Sequence, residues 1–391
     1  MWNLRFIMKM KLGKLISLRI YQSWLLARVL FARFFAIFTA RKDFWLISER
    51  GKEARDNGYA LYRWLKTNHP EISLKYVISK ESKDYHRIEH DDVVEYNSFR
   101  HLVRVWKAKY LISTHIMGFM PDHSFFARFD AIFHFLKGKK IIFLQHGITM
   151  NRQETLFYNN VNVDLFVSGS QIEYDYLTGT FGYPEGIIKY TGLCRYDNLL
   201  HFESKKQILI MPTFRMYIDM KYFEESDYFK AYSAFLESDK FHDLLEKYNY
   251  SAVFYPHYAF QSEIASFHKL NTSSRVVIAD MTYDVQQLLK DSEVLVTDYS
   301  SVFFDMMYMN KPVVFYQFDY ERFTSEHYKS GYLDHNHVGP VVEALPDLLY
   351  TIEDLLQNKG DITSYQSYYD RTFTKRDTLN CKRVYDAIIQ C

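Results

Sequence analysis

The residues of this chain best suited to chemistry sit in four short polar stretches, each directly after an apolar run. His146 and Gly147 follow 141–144 (IIFL), and His257 follows 252–255 (AVFY). Thr213 and Arg215 lie just past 208–211 (ILIM), and Thr297-Asp298-Tyr299-Ser300-Ser301 just past 293–296 (EVLV). A histidine with an ordinary pKa of about 6.5 can take a proton from an attacking hydroxyl at neutral pH. An arginine fork, together with hydroxyls and amides at a helix start, can hold phosphate oxygens. These types in these places suit a phosphate-ester site. Each also has a plainer use. A histidine after a strand is often only hydrogen-bonded, Arg215 can pair with a carboxylate, and Asp298 and Ser300 can cap a helix starting near Val302. The residues alone leave both uses open.

Other chemistries are disfavoured. His146 and His257 lie far apart in the sequence and show no HExxH or HxH spacing, and Cys194, Cys381 and Cys391 have no metal-ligand spacing, so no metal site is indicated there. Three unpaired-looking cysteines fit a reducing compartment without a disulfide framework. No GxGxxG, GxxxxGK[ST] or GxSxG occurs, which argues against a dinucleotide enzyme, a P-loop kinase and a nucleophile elbow. The net charge of +1 carries no signal for nucleic acid.

In an open parallel α/β sheet, ligands bind beyond the carboxyl ends of the strands, so these stretches need strands behind them. Apolar runs at 44–48, 74–78, 110–114, 140–144, 165–168 and 187–190 alternate with helical patterns at 52–68 and 99–107 and from Ser170. After a polar stretch at 201–207 the rhythm restarts. Strands are predicted at 208–211, 252–255, 276–279, 293–297 and 313–316, and helices at 228–248, 302–309, 345–358 and 382–390. A chain of 391 residues suits two domains of about 150–200 residues each. The prediction is an α/β protein of two Rossmann-like domains, 43–203 and 204–391, facing a cleft.

Residues 1–42 stand apart, with nine Lys or Arg and no acid. Charges recur too often there for a membrane-crossing helix, and no signal-peptide pattern follows. The segment is predicted as a pair of basic amphipathic helices lying on an anionic membrane surface, with packing on the protein itself or on a partner as the alternative.

The blocks FLQHGI (143–148), TGLCRYD (191–197), MPTFR (211–215), YPH (255–257) and LLKDSEVLVTDYSSVFFDMMYMNKPVVFY (288–316) resemble, in this order, the CDP-glycerol glycerophosphotransferase family. These are teichoic-acid-type primases and polymerases, similar in fold to GT-B glycosyltransferases. The resemblance covers roughly residues 140–340 and is most specific in its last block, with Asp305 and Lys311-Pro312 downstream of the serines. Two departures stand out. Leu193-Cys194 replaces an aromatic and a proline before Arg195, and Tyr258 replaces the proline after His257.

The resemblance implies a donor of CDP-glycerol, or CDP-ribitol, held by the second domain, and an acceptor presented by the first. His146 is expected as general base and His257 as a second catalytic residue. Gly147, Arg195, Asp197, Thr213, Arg215, the turn Thr297 to Ser301, and Asp305 are expected to bind substrate. No cofactor is implied for certain, and the need for a divalent ion is left open. The expected partners are a polyprenyl-diphosphate-linked or polymer acceptor and the cytoplasmic face of a bacterial membrane, without nucleic acid and with a homo-oligomer allowed. Two other classes remain: a nucleotide-sugar glycosyltransferase or epimerase of the same architecture, and a catalytically silent membrane scaffold.

Overall fold

The computed structural model describes residues 2–38, 43–326 and 331–391, with 2–16 as helix backbone alone. Two sheets carry the fold. The first comprises β1 (Trp45–Ser48), β2 (Leu74–Ile78), β3 (Val93–Glu95), β4 (Tyr110–Ser113), β5 (Lys140–Phe143), β6 (Leu165–Ser168) and β7 (Ile188–Tyr190), in the order β3-β2-β1-β4-β5-β6-β7. The second comprises β8 (Lys205–Ile210), β9 (Ser251–Phe254), β10 (Val276–Ile278), β11 (Ser292–Thr297), β12 (Val313–Tyr316) and β13 (Val341–Val342), in the order β10-β9-β8-β11-β12-β13.

Every pairing between these strands is parallel. Parallel strands are covered by helices on both faces, so their sequences run apolar without alternation. β1, β4, β6 and β12 are buried at every position for that reason. Each sheet winds outward in both directions, so its strand order reverses between β1 and β4 and between β8 and β11. Those reversals are where such sheets open a crevice at the strands' carboxyl ends.

The helices that matter for the site are α1 (Trp2–Ile37), α2 (Asn57–Asn68), α3 (Phe99–Lys107), α4 (His123–Phe133) and α5 (Gln171–Thr180). Serine side chains cap two of them: Ser98 Oγ accepts from His101 N at 3.0 Å, and Ser170 Oγ from Glu173 N at 3.3 Å. The expected helix at 228–248 is two, Asp227–Leu236 and Asp239–Tyr248, with Ser238 capping the second.

The N-terminal segment differs from expectation in two ways. It is one continuous helix rather than a pair, since no Gly–Pro break or capping residue interrupts its backbone bonding. The stretch Ser17–Ile37, with mean hydropathy 1.3, is also long and apolar enough to cross a membrane, which corrects the expectation that its charges exclude this. Its arginines lie far enough apart for the apolar residues to dominate the average. One stripe, Leu25, Val29 and Ala32, is buried in the first domain's core. Arg28 donates to Asn97 Oδ1 at 3.0 Å and to its carbonyl at 2.8 Å, and Trp106 Nε1 donates to the Val29 carbonyl at 3.0 Å. The other side exposes Trp24, Phe31, Phe34, Ile37 and Phe38. The basic side chains of Arg5, Lys9, Lys11 and Lys14, and residues Arg41 and Lys42, lie outside the described residues.

The chain passes between the domains twice. It crosses to the second sheet between Asn198 and Lys205, and the helix Asn380–Ile389 returns to pack beside α2 and β6 of the first. Gly192 makes that return close. Its φ is 78°, and a Cβ there would meet Asn380 Oδ1 at 1.8 Å, so only glycine fits. A single apolar core runs through the junction, including Ile47, Leu193, Tyr196, Phe304, Tyr308 and Val384.

Candidate active site

Both sheets open at their switch points onto one cavity of about 1000 Å³. The first domain contributes His115, after β4, and His146 and Gly147, after β5. The second contributes Thr213, His257, Tyr299, Ser300 and Ser301. Gly147 and Ser301 face each other across the gap: a Cβ on Gly147 would stand 3.1 Å from Ser301 Oγ. The glycine lets the two walls come this close.

His146 is held through its backbone. The preceding residue, Gln145, has φ 60°, a left-handed conformation that costs a non-glycine residue about 1 kcal/mol or more and must be secured by its neighbours. Asn57 Nδ2 donates to the Gln145 carbonyl at 2.8 Å, and Arg195 Nη1 donates to the His146 carbonyl at 2.8 Å. The Gln145 side chain donates to Glu173 at 3.0 Å and accepts from Thr149 Oγ1 at 2.7 Å. Glu173, wholly buried at the start of α5, also accepts from the Gly169 amide and from Ser168 Oγ. Burial pushes its carboxyl up to about 7, against these donors.

The imidazole of His146 stacks on that of His115, with centroids 4.4 Å apart and planes 10° from parallel. Desolvation by the surrounding walls, then Arg195 and Arg50, push His146 down to about 4. Its surface is open to the cleft, so water offsets part of that penalty. The direction stands, and it leaves a neutral ring at pH 7, as a proton acceptor requires. His115 is pushed down further, by burial and then by His146, because stacked imidazoles disfavour carrying charge together.

His257 stands opposite. Its ring stacks on Phe214 at 4.8 Å, and its Nδ1 accepts from Ala259 N at 3.2 Å, which leaves Nε2 on the far side of the ring. Ser300 and Ser301 precede a helix of only six residues, Phe303–Tyr308, that has no side-chain cap. The Val302 amide reaches Ser300 Oγ only at 3.5 Å. The capping use of Ser300 is therefore weak. The Ser300 and Ser301 amides have no acceptor among the described residues, whereas those of Phe303 and Phe304 donate to the carbonyls of Ser300 and Ser301.

Several residues expected to touch substrate are engaged elsewhere. Arg215 is 2% exposed; Nη1 donates to Asp298 at 2.8 Å, and Nε and Nη2 to Asp319 at 2.6 and 3.1 Å. Burial pushes the Asp298 carboxyl up, but Arg215 and the Thr213 and Tyr299 amides oppose this, and the pair is held as ions. Asp298 and Arg215 thus shape the turn from beneath. The Thr297 hydroxyl donates to the Met211 carbonyl at 2.7 Å, joining β11 to the end of β8.

Arg195 forms a bidentate pair with Asp305 across the domain boundary, both bonds 2.9 Å, and a third bond to Asp56 at 3.0 Å. Asp305, 2% exposed, therefore turns to Arg195 and not to the cleft. Asp197 accepts from the amides of Asn380 at 2.8 Å and Cys381 at 2.9 Å, capping the returning helix. The sequence contained no signal for Asp56 and Asn57, whose partners lie 139 and 88 residues away, whereas His115 directly follows the run 110–114 and Glu173 stands three residues after the capping Ser170, signals that could have found both.

The comparisons with known proteins agree on the kind of fold and family. The model of the family described as CDP-glycerol:poly(glycerophosphate) glycerophosphotransferase matches residues 29–390. The chain is 33% identical over 376 residues to the minor teichoic acid biosynthesis protein GgaB of Bacillus subtilis (strain 168), covering 91% of this chain and 40% of that protein. It therefore spans less than half of GgaB. It is 25% identical over 379 residues to the teichoic acid glycerol-phosphate transferase of Staphylococcus aureus (strain NCTC 8325 / PS 47), covering 88% of this chain and 92% of that one. Among solved structures, the wall teichoic acid polymerase TagF superposes with TM-score 0.69 at 18% identity over 96% of each chain. An S. aureus MnaA–UDP co-structure superposes with TM-score 0.55 at 13% identity over 90% of this chain and 96% of that one. At these identities the two structures bear on the fold alone.

The Arg195 joint gives a stability prediction. Arg195→Met leaves the buried Asp305 without its partner and is expected to cost about 3–5 kcal/mol in urea unfolding. Asp305→Asn, which keeps the shape and half the acceptors, is expected to cost less. A loss under about 1 kcal/mol for Arg195→Met would show that the joint does not hold the domains.

Proposed function

This chain belongs to the CDP-glycerol:poly(glycerophosphate) glycerophosphotransferase family, and from that premise we propose that it transfers glycerol phosphate, or a related polyol phosphate, from CDP-glycerol to a hydroxyl of a membrane-linked acceptor in the synthesis of a teichoic-acid-like polymer. The observation that carries this reading is the meeting of a neutral histidine and a pair of serines across one cleft, His146 beside Gly147 on one wall and Ser301 on the other.

His146 takes the proton of the acceptor hydroxyl. The oxygen attacks the β-phosphorus of the donor, a new P–O bond forms, and the bond from that phosphorus to the bridging oxygen breaks. CMP carries the bridging oxygen away. The hydroxyls and amides of Ser300 and Ser301, with His257 from the neighbouring loop, neutralise charge on the diphosphate. Thr213 and Tyr299 line the same wall. Arg215 and Asp298 act on the diphosphate only by holding this turn in shape.

His146→Ala is expected to lower turnover by at least about 10² with little change in donor binding. A base must be neutral to work, so kcat/KM should stay flat between pH 6 and 8 and fall on the acid side as His146 is protonated, near its pKa of about 4. Near-normal turnover in the variant would sink this role, and an acid limb at the ordinary histidine value would show that the cleft does not lower His146.

Double alanine replacement of Ser300 and Ser301 separates binding from capping. If the serines hold the β-phosphate, CDP-glycerol and CDP should bind at least about a hundredfold more weakly, because each bond to a charged oxygen is worth roughly 1.5–3 kcal/mol. CMP should be unaffected. Equal losses for CMP and CDP in calorimetric titration would place the serines away from that phosphate.

The exposed side of α1 suits the headgroup boundary of an anionic membrane, with aromatic rings inserted and the buried stripe docked on the domain. We infer that the protein lies on the cytoplasmic face of the membrane through this helix. Replacing Trp24, Phe31 and Phe34 by serine should lower partition onto anionic vesicles by at least about tenfold without changing the fold. Unchanged partition would count against the helix as the anchor.

A further inference from the structure

A second cavity, of about 550 Å³, lies at the far end of the first sheet from the cleft. Phe44 and Ser73, the residues just before β1 and β2, line it. It therefore opens at the amino ends of the parallel strands, whereas His115 and His146 follow the carboxyl ends of β4 and β5. At about 3.3 Å per residue, the four residues of β1 separate the two ends by roughly 13 Å. One wall is Phe35 of α1. The other is α3, where Arg100, Arg104 and Lys107 recur at the spacing of a single helix face.

The cations of this wall have no anion. Among the described residues no carboxylate makes a hydrogen bond or ion pair with Arg100, Arg104 or Lys107. Arg104 Nη1 is buried without a hydrogen-bond partner among them, which folded chains rarely leave so. Burial, then the charge of Arg100, pushes the Arg104 guanidinium down, since two cations here share one unneutralised space. Asp92 attracts Arg104, but its oxygens are taken by Lys66, Lys75 and Tyr62. Arg104 and Lys107 stand in the last turn of α3 and suit the negative end of its dipole. Arg100 stands in the first turn, where a positive charge opposes the dipole, so helix stability does not account for it.

The remaining lining is largely apolar and continues onto the exposed side of α1. The Phe99 ring meets Phe35 edge-on at 5.7 Å and Phe31 at 5.6 Å, centroid to centroid, and all three rings are exposed. A small inorganic anion would use the cations and leave the rings idle. A neutral lipid would use the rings and leave the cations unpaired. An anionic lipid uses both.

We propose that this cavity binds one anionic phospholipid, its phosphate held by Arg100 and Arg104 beside Lys107, and an acyl chain laid along Phe35 and Phe99. The site is separate from the cleft of the transfer reaction, and it rests on the membrane reading of α1 only for the source of the lipid. Guanidinium groups meet a phosphodiester by parallel charge-assisted hydrogen bonds, whereas a choline headgroup brings a cation of its own to the same wall.

The test is calorimetric titration of the full chain with dihexanoyl phosphatidylglycerol below its micelle concentration. Dihexanoyl phosphatidylcholine and glycerol 3-phosphate are titrated alongside. Phosphatidylglycerol should bind at least about tenfold more tightly than either. Joint replacement Arg100→Gln and Arg104→Gln should erase the preference over phosphatidylcholine, and Arg104→Lys should retain part of it. The double variant loses no ion pair, so it should unfold at the wild-type temperature; Arg100→Gln alone, at an exposed position, should already weaken the preference. Equal binding of the two lipids, a preference that survives the double variant, or glycerol 3-phosphate binding as tightly as the lipid overturns the site. The short-chain lipid forms no bilayer, which keeps this reading apart from the anchor. An arginine-dependent preference in a protein that does not partition onto vesicles would overturn the anchor and leave the site standing.

Discussion

The buried guanidinium of Arg195 is the joint on which the rest of the structure depends. It comes from the loop after the first sheet, and its partners are a carboxylate of the second domain, Asp305, a carboxylate of the first, Asp56, and the carbonyl of His146. One side chain thus ties the orientation of the domains to the position of the candidate base. Buried ion pairs give little net stability against apolar packing, but they are intolerant of misalignment. The arrangement therefore defines a register. Asn57 extends it, accepting from the Arg195 amide and donating to the Gln145 carbonyl, so the left-handed Gln145 is fixed from the same point.

Domains joined by a small polar interface swing freely, whereas a large apolar one holds them. Here the apolar core runs unbroken from Ile47 through Leu193 and Tyr196 to Phe304 and Tyr308, so the cleft is formed before any ligand arrives. Arg215 does for the second domain what Arg195 does across the boundary. Enclosed by Asp298 and Asp319, with Tyr217 and Tyr299 donating to Asp319, it braces the serine turn from below. With both arginines committed inward, the cavity carries little fixed charge. Its polar lining is made mostly of histidines, hydroxyls and amides.

How much of this was legible in the sequence depended on the range of each interaction. The long strands were legible because two-sided burial writes itself as a local apolar run, and His146 and Ser300-Ser301 were legible because they follow such runs. The short strands β3 and β13 left no run to detect. The partners of Arg195, Arg215, Asp197 and Asp305 were not legible. An arginine awaiting an anion and one paired with a carboxylate about a hundred residues away look alike in one dimension. Asn57 was invisible for the same reason, since its partners Gln145 and Arg195 lie 88 and 138 residues on. The N-terminal helix misled in a different way: Arg19, Arg28 and Arg33 read as interruptions, yet apolar residues fill the intervals between them and Arg28 is absorbed by Asn97.

The return of the helix Asn380–Ile389 to the first domain has a consequence for how the protein is made. The surface it covers, around Gly192 and Asp197, is complete when residue 198 leaves the ribosome, but its cover follows roughly 180 residues later. At 5–20 residues per second the wait is about 10–40 s. Through that interval the nascent first domain exposes an uncovered apolar flank, with the carboxylate of Asp197 waiting for its amides. The first domain therefore completes its apolar packing only after the second has been synthesised.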